Sequence, residues 1–178
     1  MTTADIQRQF GEIYSAESDA IFRFCLIRVS DRDQALDLTQ ETFSRLWQSL
    51  SDKKEMTNVR SFLFTVAHHL VIDWYRKKKA VSLEGMGGDE PDDTYEPVSD
   101  SSRVDQEFEA EGRYLIDAIT RLGPSYRQPV YLRYAEGLSP PEIGEIMGIS
   151  ANAVSVRINR GLEELRRLTG YDDLPKHT

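Results

Sequence analysis

Apolar positions along the chain recur at spacings of three, four and seven, the period of helices that bury one face. Between Thr3 and Val29 this stripe consists of Phe10, Ile13, Tyr14, Ile21, Phe24, Cys25 and Arg28, and the polar run from Ser15 to Ser18 suggests a break within it. A second helix is expected to open at Ser30, which would cap it, with Asp33 at its positive end. Its apolar stripe is Leu36, Phe43, Leu46, Trp47 and Leu50, which leaves Asp37, Gln40, Glu41 and Arg45 on a polar face. A third helix, from Thr57 or Asn58 to Lys79, places Val59, Phe62, Leu63, Val66, Leu70 and Trp74 on one side.

The second half of the chain has clearer punctuation. A helical pattern with Val104, Phe108, Leu115, Ile119 and Leu122 ends at "LGPSY", and Pro129 in the next segment predicts a late start or a bend. Ser139-Pro140-Pro141-Glu142 then reads as a capping box with proline at the first helical position. Gly148 supplies a positive-φ turn, and Ser150 caps a last helix that runs to about Leu168. Ile143, Met147, Ile149, Val154 and Ile158 fall where a helix-turn-helix buries its inner faces, and Gly144 permits close approach. The expected fold is all-α, with two small helical domains.

Charge separates those domains. The formal net charge of −8 is not spread evenly: residues 1–80 carry +1, residues 81–112 carry −10 and residues 113–178 carry +1. The first part of the middle segment is rich in Gly, Pro, Ser and Asp and reads as a self-repelling, flexible linker. At 39% hydrophobic and 29% charged residues the composition is that of a globular protein. The start of the chain has no apolar signal region, so a cytoplasmic location is expected. The single cysteine, Cys25, has no internal disulfide partner and fits a buried thiol.

Two stretches carry chemistry. Arg76 to Lys79 follow Trp74 and Tyr75 directly, and four cations in succession exceed what a helix C-terminus requires. Cations with adjacent aromatic rings suit single-stranded or opened nucleic acid. His69 and Asp73 share a helical face at metal-ligand spacing, but no third ligand stands on that helix, and neither a metal nor a cofactor is expected. On the last helix the outer face offers Asn152, Ser155, Arg157, Asn159 and Arg160, with Arg166 and Arg167 beyond. Asn and Arg make bidentate contacts with adenine and guanine in the major groove, and Arg and Ser also hold phosphates.

Three segments in order, "DLTQETFSRLW", "RSFLFTVAHHLVIDWYRKK" and "EGLSPPEIGEIMGISANAVSVRINRGLEELR", resemble the extracytoplasmic-function (ECF) group of bacterial RNA polymerase sigma factors. The resemblance spans nearly the whole chain and implies sigma domain 2 at 1–80, a linker at 81–112 and sigma domain 4 at 113–178. It assigns Asp37, Gln40 and Glu41 to core-polymerase binding. It places His69, Asp73, Trp74, Arg76, Lys77, Lys78 and Lys79 at the −10 element, which this part of such proteins melts. It places Arg133, Asn152, Ser155, Arg157, Asn159 and Arg160 at the −35 element. It implies core RNA polymerase, promoter DNA and an anti-sigma factor, which can be membrane-linked, as partners, with no catalytic residues and no small-molecule substrate.

The chain departs from the family pattern at His69, where Asn is frequent, at Ala153 and Ser155, where Thr and a basic residue are common, and at Pro129. The first two bear on which promoter bases are preferred. The acidic linker is expected to imitate nucleic acid in the polymerase cleft. A free-standing helix-turn-helix regulator and a sigma mimic that binds an anti-sigma factor are the alternatives.

Overall fold

The computed structural model describes residues 2–82 and 116–170. The chain divides into two compact units, residues 1–89 and 90–178, each with its own core. Most of the acidic segment at 81–112, the Val104 to Leu115 part of the helix expected to run on through Ile119 and Leu122, and His177 lie outside the described residues. All the regular structure among the described residues is helical.

In the N-terminal unit α1 spans Thr3–Val29, α2 spans Arg32–Ser51 and α3 spans Val59–Ser82, and each packs on the other two. The start of α1 is a capping box: Asp5 N–H donates to Thr2 Oγ1 at 3.2 Å, and Thr2 N–H donates to Asp5 Oδ2 at 2.9 Å. No break occurs at Ser15 to Ser18, since the run contains neither Gly nor Pro and Glu17 is pinned by Arg60 of α3 at 3.1 Å.

The cap expected at Ser30 belongs to Asp31 instead. Ser30 adopts a left-handed conformation (φ 52°) that ends α1, its N–H bonding Leu26 O. A helix N-cap needs extended backbone, which Asp31 has, and its carboxylate accepts from Gln34 N–H at 3.0 Å. With only two residues between helices, one must reverse the chain and the other must cap, so Ser30 cannot do both.

The core of this unit is built from Ile21, Phe24, Leu26 and Ile27 of α1, Phe43, Leu46 and Leu50 of α2, and Leu63, Phe64, Ala67, Leu70 and Val71 of α3. Phe24 and Phe64 meet edge to face at 5.4 Å. The expected stripe of α3 was therefore rotated: Val59, Phe62, Val66 and Trp74 are only part-buried, while Phe64, Ala67 and Val71 are fully buried. Leu36 and Trp47 of α2 are likewise exposed rather than core. Each fully buried Leu, Ile or Phe contributes roughly 2 kcal/mol, whereas an exposed ion pair such as Glu41–Arg45 at 3.1 Å contributes about 0.5 kcal/mol. Apolar packing, not surface charge, holds the helices together.

In the C-terminal unit residues 116–120 are helical, and α4 (Pro124–Tyr134), α5 (Pro140–Met147) and α6 (Ala151–Thr169) follow. Arg127 of α4 donates to Thr120 O at 2.9 Å and Leu122 O at 3.2 Å, satisfying carbonyls at the end of the preceding helix. Pro129 lies inside α4 and is buried; the helix continues through it instead of starting late. Around it Val130, Tyr131 and Leu132 are almost wholly buried, so packing outweighs the lost hydrogen bond.

The α5–α6 corner follows its sequence punctuation. Ser139 and Glu142 form the capping box, Gly148 takes φ 68° and Ser150 Oγ accepts from Ala153 N–H at 3.1 Å. Ile143, Val154 and Ile158 are buried as expected, joined by Ile146, while Met147 and Ile149 are part-buried. A Cβ on Gly144 would stand 2.6 Å from Ile149 O, so only glycine allows this turn to close. Gly161 of α6 plays the same part against α4, where a Cβ would meet Val130 Cγ2 at 2.6 Å.

Candidate nucleic-acid and polymerase interface

On α2, Ala35, Leu38, Thr42, Phe43 and Leu46 face inward, so Asp37, Gln40 and Glu41 are left together on the exposed side. The inward hydroxyls of Thr39 and Thr42 donate to Ala35 O and Leu38 O at 2.7 Å, which lets them be buried without an outside partner. Leu36 and Trp47 border Gln40 at i−4 and i+7, both more than a third exposed. Trp47 rests edge-on against Phe10 at 5.3 Å, and exposed Tyr14 leans on Phe43 at 4.8 Å. The face therefore joins carboxylate and amide groups to an aromatic margin that sequence periodicity assigned to the core.

On α3, His69, Asp73, Arg76 and Lys77 share one exposed face, while Lys78 and Lys79, also exposed, point away from it, Lys78 toward Trp74. Arg76 pairs loosely with Asp73 at 3.9 Å. Trp74 is part-buried and makes contacts within its own unit. Its indole N–H donates to Gln34 Oε1 at 2.9 Å, Lys78 Nζ sits 4.8 Å from the ring centroid, and Tyr75 abuts it at 4.9 Å. The Tyr75 hydroxyl in turn donates to Arg28 O. The aromatic pair thus anchors the basic end of α3 to the α1–α2 corner and aims Lys78. Replacing Gln34 with alanine is expected to cost about 1 kcal/mol and to change Trp74 fluorescence before any DNA is added; unaltered emission and urea midpoint would contradict this anchoring.

Beneath that end lies a buried polar contact that the sequence did not reveal. Arg28 donates to His68 Nδ1 at 2.9 Å, with Phe24 stacked 5.4 Å from the guanidinium. Burial, then the charge of Arg28 and then His69, push the His68 imidazole down to about 3, so it is neutral and accepts at Nδ1. Cys25 is a buried core thiol, its ionisation pushed up to about 12 mainly by burial. Among the described residues no group of three or more His, Cys, Asp or Glu is placed to hold a metal.

On α6, Val154, Ile158, Gly161, Leu162 and Leu165 face inward. Asn152, Asn159 and Arg160 are exposed on the far side, with Ser155 and Arg157 part-buried on its flanks. Ser155 Oγ donates to Ala151 O at 3.1 Å, leaving it free to act only as an acceptor. Arg133 donates to Leu138 O at 3.1 Å and so fastens the end of α4 to the loop that enters α5. Val156, passed over in the sequence reading, is 40% exposed between Asn152 and Arg160.

Comparison with known proteins decides the family. Profiles described as Sigma-70 region 2 and Sigma-70, region 4 match residues 13–81 and 112–165. RNA polymerase sigma factor CarQ of Myxococcus xanthus is 30% identical over 168 residues, covering 94% of this chain and 93% of that protein. The chain belongs to the ECF group of the sigma-70 family.

The ECF sigma factor BldN of Streptomyces coelicolor is also 30% identical over 92% of this chain, and the chain spans 61% of BldN's own length. The fold is shared with the sigma factor RpoE of Bartonella quintana, solved with the anti-sigma factor NepR: the TM-score is 0.71 at 21% identity, over 93% of this chain and 99% of that one. In this sigma factor the region 2 match holds the α2 face and the basic end of α3, and the region 4 match holds α4, α5 and most of α6.

Proposed function

We propose that this sigma factor binds core RNA polymerase, directs it to specific promoters and assists their melting, working in the cytoplasm without catalytic chemistry of its own. Asp37, Gln40 and Glu41 dock on polymerase. His69, Asp73, Trp74 and Arg76 to Lys79 engage the −10 element, with Trp74 acting chiefly by positioning Lys78. Asn152, Ser155, Arg157, Asn159 and Arg160 engage the −35 element, while Arg133 holds the helix-turn-helix entry and lies near the DNA backbone. The observation that carries this reading is that most members of each set, among them Asp37, Gln40, Glu41, His69, Asp73, Arg76, Asn152, Asn159 and Arg160, are exposed on a helix whose inward side is spent on its unit's core. The boundaries 1–80, 81–112 and 113–178 remain our division of the chain into domain 2, linker and domain 4. No helix of the described residues is long and apolar enough to cross a membrane. An anti-sigma factor is proposed as a further partner, supported by fold likeness to RpoE, solved with NepR.

Run-off transcription from a pool of promoter fragments tests the proposal. Starts that require both core polymerase and this protein, and that share two spaced upstream motifs, are expected. Starts that appear without it, or none with it, would overturn the reading. Combining Asp37→Lys with Glu41→Lys is expected to weaken core polymerase binding at least tenfold while lowering the unfolding free energy by no more than about 1 kcal/mol, since both side chains are exposed and only the surface Glu41–Arg45 pair is lost to like-charge neighbours. Alone, the protein is expected to bind promoter DNA weakly, because neither folded block carries more than one excess positive charge.

A further inference from the structure

Val156 is the one position on the outer side of α6, between Asn152 and Arg160, where a β-branched apolar side chain meets solvent. Its inward neighbours Val154 and Ile158 are 0% and 3% exposed, so the core does not need it. Asn152 precedes it by four residues and Arg160 follows it by four, which puts all three along one ridge of the helix. Asn159 stands beside that ridge, and Glu163 lies a further turn on, past the N-terminal turns through which a recognition helix meets base edges.

Resting on the −35 reading above, we propose that Val156 is a specificity-determining residue that recognises the C5-methyl group of a thymine in the −35 element. The major-groove floor presents hydrogen-bonding atoms at every base pair but only one apolar group, the thymine methyl. A polar ridge that leaves a valine in its middle has a matching partner there and nowhere else on the floor. Valine is suited to the contact because its χ1 is already restricted, so little side-chain freedom is lost when it is covered. Four residues of helix rise about 6 Å, less than two base-pair steps at 3.4 Å each. The thymine is therefore placed within about two base pairs of the bases that Asn152 and Arg160 contact, which their chemistry favours as adenine and guanine.

The test uses full-length protein with core polymerase and the −35 element found by the transcription experiment. Each thymine in that element, on either strand, is replaced singly by deoxyuridine, which deletes the methyl and nothing else. At one position the change is expected to weaken holoenzyme binding about fourfold, the effect of one buried methyl group. The Val156→Ser variant is expected to bind the thymine and deoxyuridine promoters equally at that position, with its thermal unfolding unchanged because the residue is exposed. An element without thymine, indifference of the parent to every deoxyuridine, or undiminished discrimination by Val156→Ser would each overturn the assignment while protein-dependent starts keep the sigma reading intact. Absence of such starts would overturn the sigma reading itself, and the assignment with it.

Discussion

Between about pH 7.5 and pH 5 the N-terminal unit is expected to lose roughly 2 kcal/mol of stability through His68 alone. In the unfolded chain a histidine takes up a proton near pH 6.5, whereas the folded protein holds His68 neutral down to about pH 3. Across that window the unfolded state binds the additional proton, so stability falls as pH falls, by up to about 1.4 kcal/mol per unit. The direction follows from the surroundings: the His68 ring on α3 is buried, Arg28 of α1 points a guanidinium at Nδ1, and His69 is the adjoining titratable group. Protonation would take away the acceptor that Arg28 uses and place two cations in contact.

Glutamine at position 68 keeps an acceptor oxygen for Arg28 but cannot titrate. Urea unfolding of His68→Gln at the two pH values should show most of the acid-induced loss removed. If the variant retained the full slope of the parent, a buried neutral His68 would be the wrong account. The loss is a sizeable part of the 5–15 kcal/mol that holds a typical domain together, and the affected helix carries the basic end proposed to engage the −10 element.

Gly144→Ala should destabilise the C-terminal unit by about 2 kcal/mol, although the same change in an exposed helix interior gains about 1 kcal/mol. The added Cβ would lie 2.6 Å from Ile149 O, with Ala151 N at 3.4 Å and Ser150 C at 3.5 Å. All three obstacles are backbone. Ile149 cannot retreat easily, because its N–H bonds Gly144 O at 3.0 Å and the Gly148 N–H bonds the same oxygen. Relief must come from opening the corner between α5 and α6, which swings Asn152 and Arg160 out of register with a shared groove. Binding that depends on the −35 element should fall together with the thermal midpoint, while Glu145→Ala, on the exposed side of α5, should change neither. A neutral or stabilising Gly144→Ala would show that the turn is looser than this geometry requires.

The contrast between these two residues shows what was legible beforehand. Gly144, Gly148, Ser139, Glu142 and Ser150 act on groups a few residues away, so their spacing alone predicted the capping box, the turn and the start of α6. Arg28 and His68 are 40 residues apart in sequence, and nothing local distinguishes His68 from the exposed His69 that follows it. The same limit moved the stripe of α3 by one position. Several apolar residues offered two plausible faces, and the choice fell to Phe24 and the rest of α1 that Phe64 packs against.

The polar sets were visible because they interrupt a helical period: Asp37, Gln40 and Glu41 on α2, the cations ending α3, and the Asn and Arg residues of α6. Their neighbours were not. Trp47 looked like core and forms an exposed aromatic margin, Trp74 looked like core and is part-buried, held by Gln34 with Lys78 over its ring, and Val156 looked unremarkable and stands in the middle of the outer ridge. By itself the sequence determined the all-α class, the helix-turn-helix and the polar faces, because caps, turns and periodicity are interactions over one or two helical turns. Only the tertiary structure decided the end of α1 at Ser30, the buried Arg28–His68 contact and the exposure of Trp47 and Val156, because burial depends on which distant helix arrives to cover each face.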